Sequence, residues 1–541
     1  MKKIFFYTVL TAFIFFCSCT KMIDDAYPNP NANVKQPVEQ LLPNIIQNMA
    51  ISNTAQGSLY GPQNDGQYVG RYIQNWASYA SGNQYDEMGQ TTTNSTAAAA
   101  DIGGSHWAMH YYGMGQNLNR VIQWGIDDKK WDYVGVAYAI RAWSWLTITD
   151  MHGEVIVKQA FDPERLVFNY DSQADVYEEV KRNAHLALDY LSKTGDGISA
   201  ANLAIGDKYF SYQGDVEKWK KFTYSVLARV FHRTTNKASY QADSVIYYAN
   251  LAINDNADNA NVLFEGSSST RMSFYGPTRN NVGVLRQSKF IADLESGANT
   301  AFPGVVDPRR WYILRENNNN TFKGFIPNKG GQGVALGDTA TTFVGGAYNT
   351  TGANVNNARY IFQDAMPWPV ITASEIHFMK AEAYYRKGDR GNALTEYKEG
   401  ISQNIDMLTS QYSTHVPVAS QISPAIKAAF LANPLVVPTV ANLTLSHIML
   451  QKYISMFGYG LLETWVDMRR YHYVDMESGL QVYRDFVVPA NNDLFANNNG
   501  KLVYRVRPRY NSEFLYNIDA LTLIGALALD YHTKEQWFSQ P

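Results

Sequence analysis

The chain has 541 residues with 46 basic and 49 acidic side chains, so its formal net charge of −3 predicts no surface for nucleic acid or another polyanion. Charged residues make up 18%, where about 25% is typical of soluble proteins, whereas Phe, Trp and Tyr together make up 13%. Tyrosine and tryptophan combine an apolar ring with a polar tip, which suits contacts with neutral polar ligands.

The first residues predict a secretion signal. Two lysines precede an apolar run over residues 4–16 that ends in small residues, which is the pattern of a signal peptide. The run is shorter than the ~20 residues that a membrane-spanning helix needs, so we expect residues 1–18 to be removed. Cys17 and Cys19 are the only cysteines of the chain and both lie at the cleavage point, which excludes a disulfide framework.

The segment Phe16-Cys17-Ser18-Cys19 resembles a bacterial lipobox, although Phe16 stands where leucine is usual. In such a signal the cysteine after the cut is acylated, and several acyl chains hold a protein on a membrane without spanning it. We therefore predict that Cys19 is lipidated; the alternative is an ordinary signal peptide with incidental cysteines. Residues 19–40 are rich in Asn, Pro and Asp, a composition typical of a flexible tether.

Apolar residues recur at helical spacing through most of the remaining chain, and strand-like alternation is limited to short pieces. The spacing predicts helices over residues 106–125, 134–150, 174–192, 217–234, 242–253, 373–387, 393–407 and 443–471. Ala381 and Ala393 stand on either side of Gly388, and small residues around a glycine turn are typical of a tetratricopeptide-type hairpin. An ordinary helical bundle would share the layout. We expect residues 41–541 to form one mostly α domain of tetratricopeptide-like hairpins with few short strands.

Two loop-rich segments interrupt the helical pattern. Residues 254–370 are rich in Gly, Asn, Ser and Thr with interspersed aromatics, and residues 53–104 have a similar composition. A loop of such length inside a compact chain is usually functional or disordered. Since ligand sites favour loops on rigid scaffolds, both segments are candidates, and 254–370 is the predicted ligand-binding insertion.

Both segments hold the side chains that a sugar site needs. A pyranose ring has a C–H face that an aromatic ring can cover and a rim of hydroxyls, each costing about 1 to 3 kcal/mol if it is buried without a partner. The candidate ligand-binding residues are Tyr79, Asn83 and Tyr85 in the first segment and Tyr275, Arg279, Trp311 and Trp368 in the second. Core packing is the alternative role of each aromatic, and Trp76 could serve either role.

Patterns of catalytic or metal chemistry are weak. His106 and His110 have the spacing of two metal ligands on a helix, but Trp107 stands where a metalloprotease needs glutamate. The acidic loop at 255–258 lacks the glycine and the final glutamate of an EF-hand. We predict no catalytic residue, no metal site and no cofactor, while spacing alone leaves a glycosidase carboxylate pair open.

In chain order, a series of short blocks resembles the SusD/RagB family of nutrient-binding outer-membrane lipoproteins. The blocks are residues 29–32, 41–43, 137–143, 150–153, 171–177, 214–222, 227 with 229, 307–309, 381–383, 451–453, 463–465, and 467 with 469–470. The likeness covers nearly the whole chain. It implies a SusD-like fold with four tetratricopeptide-like helix pairs and a binding protein rather than an enzyme.

The resemblance also implies a location and partners. A protein of this kind is lipid-anchored in the outer membrane, faces the cell exterior, binds oligosaccharides and delivers them to a SusC-like TonB-dependent transporter. Asp24 and Asp25, shortly after Cys19, resemble part of the surface-export signal of such lipoproteins. Oligopeptide capture by the same type of complex is an alternative, and a lipid-anchored glycoside hydrolase is a third. No nucleic-acid partner is expected.

Overall fold

The computed structural model describes residues 35–51, 60–79, 85–89, 103–331, 334–348, 350–490 and 493–541. The predicted signal peptide, Cys19, most of the tether and Asn83 lie outside these residues. Within the described part, the chain forms seventeen α-helices and six short strands. None of the helices described there has both the length and the apolar character that crossing a bilayer requires.

Helices alternate with loops throughout the described part of the chain. The first nine are α1 (Val38–Asn48), α2 (Pro62–Tyr72), α3 (Ser105–Ala108), α4 (Gly115–Asp127), α5 (Trp131–His152), α6 (Gln173–Leu191), α7 (Ala200–Gly206), α8 (Val216–His232) and α9 (Ala242–Leu251). The next eight are α10 (Lys289–Ser296), α11 (Arg310–Ile313), α12 (Ala373–Lys387), α13 (Arg390–Gln411), α14 (Pro424–Leu431), α15 (Leu445–Ser455), α16 (Leu461–Arg470) and α17 (Ile518–Leu523). A π-helical segment, Met109–Met114, joins α3 to α4.

The strands form three antiparallel ribbons. They are β1 (Trp76–Ser78) with β3 (Leu285–Gln287), β2 (Ala260–Glu265) with β4 (Ala365–Ile371), and β5 (Met476–Glu477) with β6 (Leu480–Gln481). In the first ribbon Trp76 pairs with Gln287, and in the second Val262 pairs with Trp368. Because β1 and β3 come from different loop-rich segments, the first ribbon brings those segments side by side.

The mostly α prediction is confirmed, with two predicted helices divided and several helices missed. The helix predicted over 106–125 consists of α3, the π-helical segment and α4. The predicted helix over 443–471 is two helices, α15 and α16. Between them Gly458 has a φ of +79° and its N–H donates to Asn75 Oδ1 at 2.8 Å, a backbone conformation that glycine adopts without a steric penalty. Helices α2 and α10 lie inside the segments that composition marks as loops, and α1 begins at Val38, within the predicted tether.

Consecutive helices pack as pairs, namely α4 with α5, α8 with α9, and α12 with α13. Glycine allows the close approach in the last pair. A Cβ at Gly400 would lie 2.9 Å from a ring carbon of Phe378. The turn between these two helices uses Gly388, which ends α12 at a φ of +86°. The structure thus has the helical hairpin that the sequence around Gly388 predicts.

Buried ion pairs join helices from distant parts of the chain. Arg229 on α8 contacts Glu375 on α12, with Nε 2.6 Å from Oε1. Arg233 lies one turn further on, directly after the last residue of α8, and its Nη2 is 2.9 Å from Asp150 Oδ2 and 2.6 Å from Glu463 Oε2. These charges are largely shielded from water, so each depends on its partners for compensation. They fix α5, α8, α12 and α16 against one another.

Candidate functional site

A cavity of about 620 Å³ lies where α10 meets residues 326–327, residues 485–490 and Asp493. We call it the Tyr85 cavity. Its lining residues are Gln74, Tyr85, Lys289, Phe290, Asp293, Ala298, Asn299, Thr300, Ile326, Pro327, Asp485, Val487, Val488, Pro489, Ala490 and Asp493. The volume falls in the range of about 300 to 1,000 Å³ that is common for small-molecule sites.

An aromatic floor supports the cavity. Phe290 on α10 packs edge-on against Tyr453, with ring centroids 5.0 Å apart, and against Phe486, with centroids 5.3 Å apart. Across the floor, Gln74 Nε2 donates to the carbonyl oxygen of Val487 at 2.6 Å. Aromatic packing and this hydrogen bond connect two walls that are more than 400 residues apart in sequence. The floor is therefore set by the folded core.

Polar groups surround the cavity. Asp485 accepts hydrogen bonds from the backbone N–H of Thr300 at 2.6 Å and from its hydroxyl at 2.9 Å. Asp493 forms an ion pair with Lys329, with Nζ 2.5 Å from Oδ1. Asn299 is buried and its Oδ1 accepts from the Phe302 N–H at 2.6 Å. The walls thus combine amides and carboxylates that are already held in place.

Two aliphatic side chains of the lining are largely exposed. Ile326 is 50% exposed and Val487 is 74% exposed. Single exposed aliphatic residues are common, but these two border the same cavity. They give a ligand apolar surface that is not already covered by protein.

Of the predicted residues, Tyr85 lies at the cavity and Tyr79 lies beside it. Tyr85 lines it, and its hydroxyl donates to the carbonyl oxygen of Asp493 at 2.8 Å. Tyr79 follows β1, is half-buried, and lies between Phe325, at a ring-centroid distance of 6.0 Å, and Arg286, whose guanidinium carbon is 5.3 Å from its ring. Since Phe325 directly precedes Ile326 of the lining, Tyr79 packs behind that wall.

Two buried acids follow Tyr85. Asp86 Oδ2 accepts from the Phe495 N–H at 2.7 Å and from Asn498 Nδ2 at 2.8 Å. Burial raises the pKa of Asp86 to about 6. Burial and the charge of Asp86 raise the pKa of Glu87 to about 7. The segment that carries Tyr85 therefore gains negative charge as the pH rises through neutrality.

Tyr275 and Trp368 belong to the aromatic core and not to the cavity. Tyr275 is 0% exposed and Trp368 is 2% exposed. The Tyr275 ring packs edge-on against Trp368 at 5.4 Å and against Trp76 at 5.8 Å, and it stacks on Phe362 at 5.9 Å. Neither residue presents a free ring face in this conformation. Tyr275 and Trp368 are therefore core residues, the alternative role given above for each aromatic, and Trp76 is a core residue as well.

Arg279 and Trp311 lie elsewhere on the loop-rich insertion. Trp311, on α11, packs edge-on against Phe322 with centroids 4.9 Å apart, and Arg359 lies 5.9 Å from its ring. Arg279 is half-buried, and burial lowers its pKa. Neither lines the Tyr85 cavity, and Asn83 is outside the described residues. Of the predicted set, only Tyr85 lines the cavity among the described residues, and Tyr79 packs against Phe325, the neighbour of the lining residue Ile326.

Sequence reasoning missed most of the lining. Phe290 and Asn299 are in the long insertion, but no pattern distinguishes them from its many other aromatic and amide residues. Asp485, Val487 and Asp493 lie in a stretch that carries no motif at all. Their role depends on contacts with residues hundreds of positions away.

The two histidines with metal-ligand spacing have separate partners. His106 Nδ1 lies 2.6 Å from Asp65 Oδ2, and His110 Nδ1 lies 2.6 Å from Ser144 Oγ. In the acidic loop, Asp255 accepts from the Ala257 N–H at 2.8 Å. Across the described ranges, no three His, Cys, Asp or Glu residues lie together in a way that could hold a metal ion.

Fold and cavity together define a helical-repeat protein whose loops form a pocket. A family model described as SusD-like, starch-binding and associating with the outer membrane matches residues 30–492. The match covers most of the chain, and the chain belongs to this SusD-like family. Among curated proteins, no sequence matches it.

Solved structures share the fold at low sequence identity. A SusD/RagB family protein from Bacteroides thetaiotaomicron is 18% identical with a TM-score of 0.65, over 93% of this chain and 99% of that one. A SusD homologue from Bacteroides fragilis is 17% identical with a TM-score of 0.66, over 93% and 100%. A chitin-binding SusD homologue from Flavobacterium johnsoniae is 16% identical with a TM-score of 0.62, over 93% and 98%.

Proposed function

We propose that this protein binds oligosaccharides in the Tyr85 cavity. The observation that carries the proposal is the composition of that one cavity, which joins aromatic rings, exposed aliphatic side chains and fixed amides and carboxylates. A sugar needs both an apolar surface for its C–H face and hydrogen-bonding partners for its hydroxyls. The cavity offers both within a volume of about 620 Å³.

Each wall has a part in this proposal. Ile326 and Val487 cover the C–H face of a sugar ring, with Phe290 in the floor beneath and Tyr85 in the wall next to Asp493. Asp485 and Asn299 accept or donate hydrogen bonds at the hydroxyl rim. Because these polar groups are already held by neighbouring residues, they lose little freedom when a ligand binds, which favours affinity.

The comparisons support a neutral glycan. The matching family model is described as starch-binding, and the Flavobacterium homologue is described as chitin-binding. Starch and chitin are both uncharged polymers of pyranose rings. A net charge of −3 in this chain likewise gives no reason to expect an anionic polysaccharide.

Family membership supports a wider role. We propose that acylated Cys19 anchors the protein in the outer membrane at the cell exterior, and that it delivers the bound oligosaccharide to a SusC-like TonB-dependent transporter. The family model is described as associating with the outer membrane, and the lipobox supports the anchor. The protein captures its ligand and does not cleave it.

Calorimetric titration with a panel of neutral oligosaccharides tests the binding site. Val487→Arg places a long charged side chain at the cavity and should weaken binding of the best ligand about tenfold or more, equivalent to about 1.4 kcal/mol. Val418→Arg is the matched control, since Val418 is 85% exposed and outside the lining. Equal affinity in both variants would place the sugar site elsewhere.

The same titration separates the alternatives. Binding of mixed oligopeptides together with indifference to every glycan would favour peptide capture. Release of shorter sugars from a bound oligosaccharide by the purified protein would favour a hydrolase. For the anchor, mass spectrometry of the mature protein should show an acylated Cys19, and Cys19→Ala should release the protein from the membrane fraction.

A further inference from the structure

A second, smaller pocket lies on the helical frame, away from the Tyr85 cavity. It has a volume of about 140 Å³ and is formed by α4, α5, α6, the π-helical segment and the loop at 157–161. Its polar lining consists of His110, Asn119, Arg141 and Glu179, and Trp145 and Phe161 supply aromatic surface. We call it the Arg141 pocket. It shares no lining residue with the Tyr85 cavity.

Arg141 is the unbalanced charge in this pocket. Its Nη2 donates to Asn119 Oδ1, and its guanidinium carbon lies 5.4 Å from the ring of Tyr138. Burial lowers the pKa of Arg141 to about 10, so the side chain remains cationic at neutral pH. No carboxylate in the described part of the chain forms an ion pair with it within 4.0 Å.

The carboxylate of Glu179, which also lines the pocket, forms its ion pair with Arg182 and not with Arg141. Glu179 forms a two-point pair with Arg182, at 2.7 Å from Nε and 2.5 Å from Nη2, and Glu179 Oε1 also accepts from Asn183 at 2.7 Å. Two cations therefore share one carboxylate around the pocket. Within the lining the charges of Arg141 and Glu179 cancel, but the guanidinium of Arg141 has no ion-pair partner of its own, and a small anion would supply one.

His110 supplies a second hydrogen-bonding group. It is 1% exposed, its Nδ1 lies 2.6 Å from Ser144 Oγ, and its Nε2 has no partner among the described residues. Its ring is held against Trp145 at a centroid distance of 3.8 Å. A buried polar atom without a partner destabilises the fold, and a bound ligand that accepts its hydrogen bond would remove that cost.

We propose that the Arg141 pocket binds a small oxyanion, a carboxylate or a phosphate. The guanidinium of Arg141 donates to the anion, and His110 Nε2–H donates to it when Nδ1 accepts from Ser144. A volume of about 140 Å³ is close to that of an engineered cavity, about 150 Å³, which holds benzene. It therefore suits an anion of acetate or phosphate size and excludes an oligosaccharide.

The test is thermal unfolding of the full-length protein in acetate, phosphate or chloride at matched ionic strength. Acetate or phosphate should raise the melting temperature saturably above the chloride value, and the two curves show which oxyanion is preferred. Arg141→Met should weaken the preferred anion at least tenfold. Arg390→Met is the matched control, because Arg390 is also half-buried and stacked on a tyrosine, Tyr385, at 3.3 Å. The proposal would be overturned if acetate and phosphate raise the wild-type melting temperature no more than chloride does. It would also be overturned if Arg141→Met binds the preferred anion with wild-type affinity.

A second variant keeps the test informative if Arg141→Met does not fold. Asn119→Asp has nearly the same shape and places a carboxylate where Arg141 already donates, so Arg141 gains an ion-pair partner within the protein and the lining becomes net negative. It should lose oxyanion binding while keeping the wild-type oligosaccharide affinity. Selenate soaked into crystals should give an anomalous peak beside Arg141 in the wild type, and a peak only outside the pocket would contradict the proposal.

Discussion

Arg470 and Glu382 form a two-point ion pair inside the protein. Nη1 of Arg470 lies 2.7 Å from Oε1 of Glu382 and Nη2 lies 2.9 Å from Oε2, and both side chains are fully shielded from water. Burial alone would raise the pKa of Glu382, but the charges of Arg470 and His232 outweigh burial and hold it well below the usual range. The pair joins α16 to α12.

Removing the charge of Glu382 should destabilise the fold. Glu382→Gln keeps the shape but leaves Arg470 with a single carboxylate, Asp467, at 2.6 Å. Breaking a buried pair in this way costs about 3 to 5 kcal/mol, measurable by urea denaturation at pH 7. Glu178→Gln is the control, since Glu178 pairs with Lys181 and is 72% exposed, and it should change stability by less than about 0.5 kcal/mol. Similar losses of unfolding free energy in both variants would show that the buried pair contributes no more to stability than a surface pair.

His152 should make stability depend on pH. It is fully buried, its Nδ1–H is shared between the carbonyl oxygens of Val506 and Arg507 at 3.2 and 3.1 Å, and burial lowers its pKa to about 4. As the pH falls, the His152 imidazole is protonated near pH 6.5 in the unfolded chain but only near pH 4 in the folded protein. Its contribution to stability is therefore fully present above pH 6.5 and is lost as the pH falls to about 4.

The variant His152→Gln isolates this effect. The difference in unfolding free energy between wild type and variant should be constant from pH 8 to 9, where imidazole is neutral in both states. It should then shrink by about 1.4 kcal/mol per pH unit between the two pKa values, because one proton is linked to unfolding. Denaturation curves at pH 8, 6 and 5 measure it, and parallel profiles would show that His152 titrates normally.

Gly400 should reverse the usual effect of a helical glycine. Alanine is normally favoured over glycine within a helix by about 0.5 to 1 kcal/mol. At Gly400 the new Cβ would lie 2.9 to 3.0 Å from three ring carbons of Phe378, so Gly400→Ala should lower the melting temperature. Gly391→Ala in the same helix is the control, because its Cβ would approach Asp389 Oδ1 only to 3.9 Å. A stabilised Gly400→Ala would show that α12 and α13 can move apart freely.

The Tyr85 hydroxyl should hold one wall of the cavity. Tyr85→Phe removes the hydrogen bond to the Asp493 carbonyl, and such a bond contributes about 0.5 to 1.5 kcal/mol. Hydrogen exchange should become faster at 493–495 and remain unchanged in α12. Tyr247→Phe, at a residue that is 61% exposed, should leave both regions as they are. Unaltered exchange at 493–495 would show that this wall is held by other contacts.

Helical periodicity and small residues at crossings predicted most long helices, because these signals are local. The break at Gly458 was missed because it depends on Asn75, which lies nearly 400 positions away. Blocks such as 381–383 and 469–470 identified the family, and the structure shows that Glu382 and Arg470 in them are structural. Local sequence patterns therefore predicted where the long helices lie better than where they are interrupted.

The candidate site was only partly predictable. Tyr85 and Tyr275 have similar sequence surroundings, aromatic residues among glycine and amides, yet one lines a cavity and the other is enclosed by Trp76, Phe362 and Trp368. Composition cannot separate these outcomes, because burial depends on which distant segments pack together. The same reason explains why Asp485 and Asp493 carried no signal.

The cavity walls draw on residues from Gln74 to Asp493, while none of the ion-paired residues Glu382, Asp467 and Arg470 lines it. The site therefore exists only once nearly the entire polypeptide has folded, and no short fragment can reproduce it. Conversely, substitutions at Ile326 or Val487 leave that ionic framework untouched. Selection can thus alter the chemistry of this cavity while the buried ion pairs that hold the helices together stay the same.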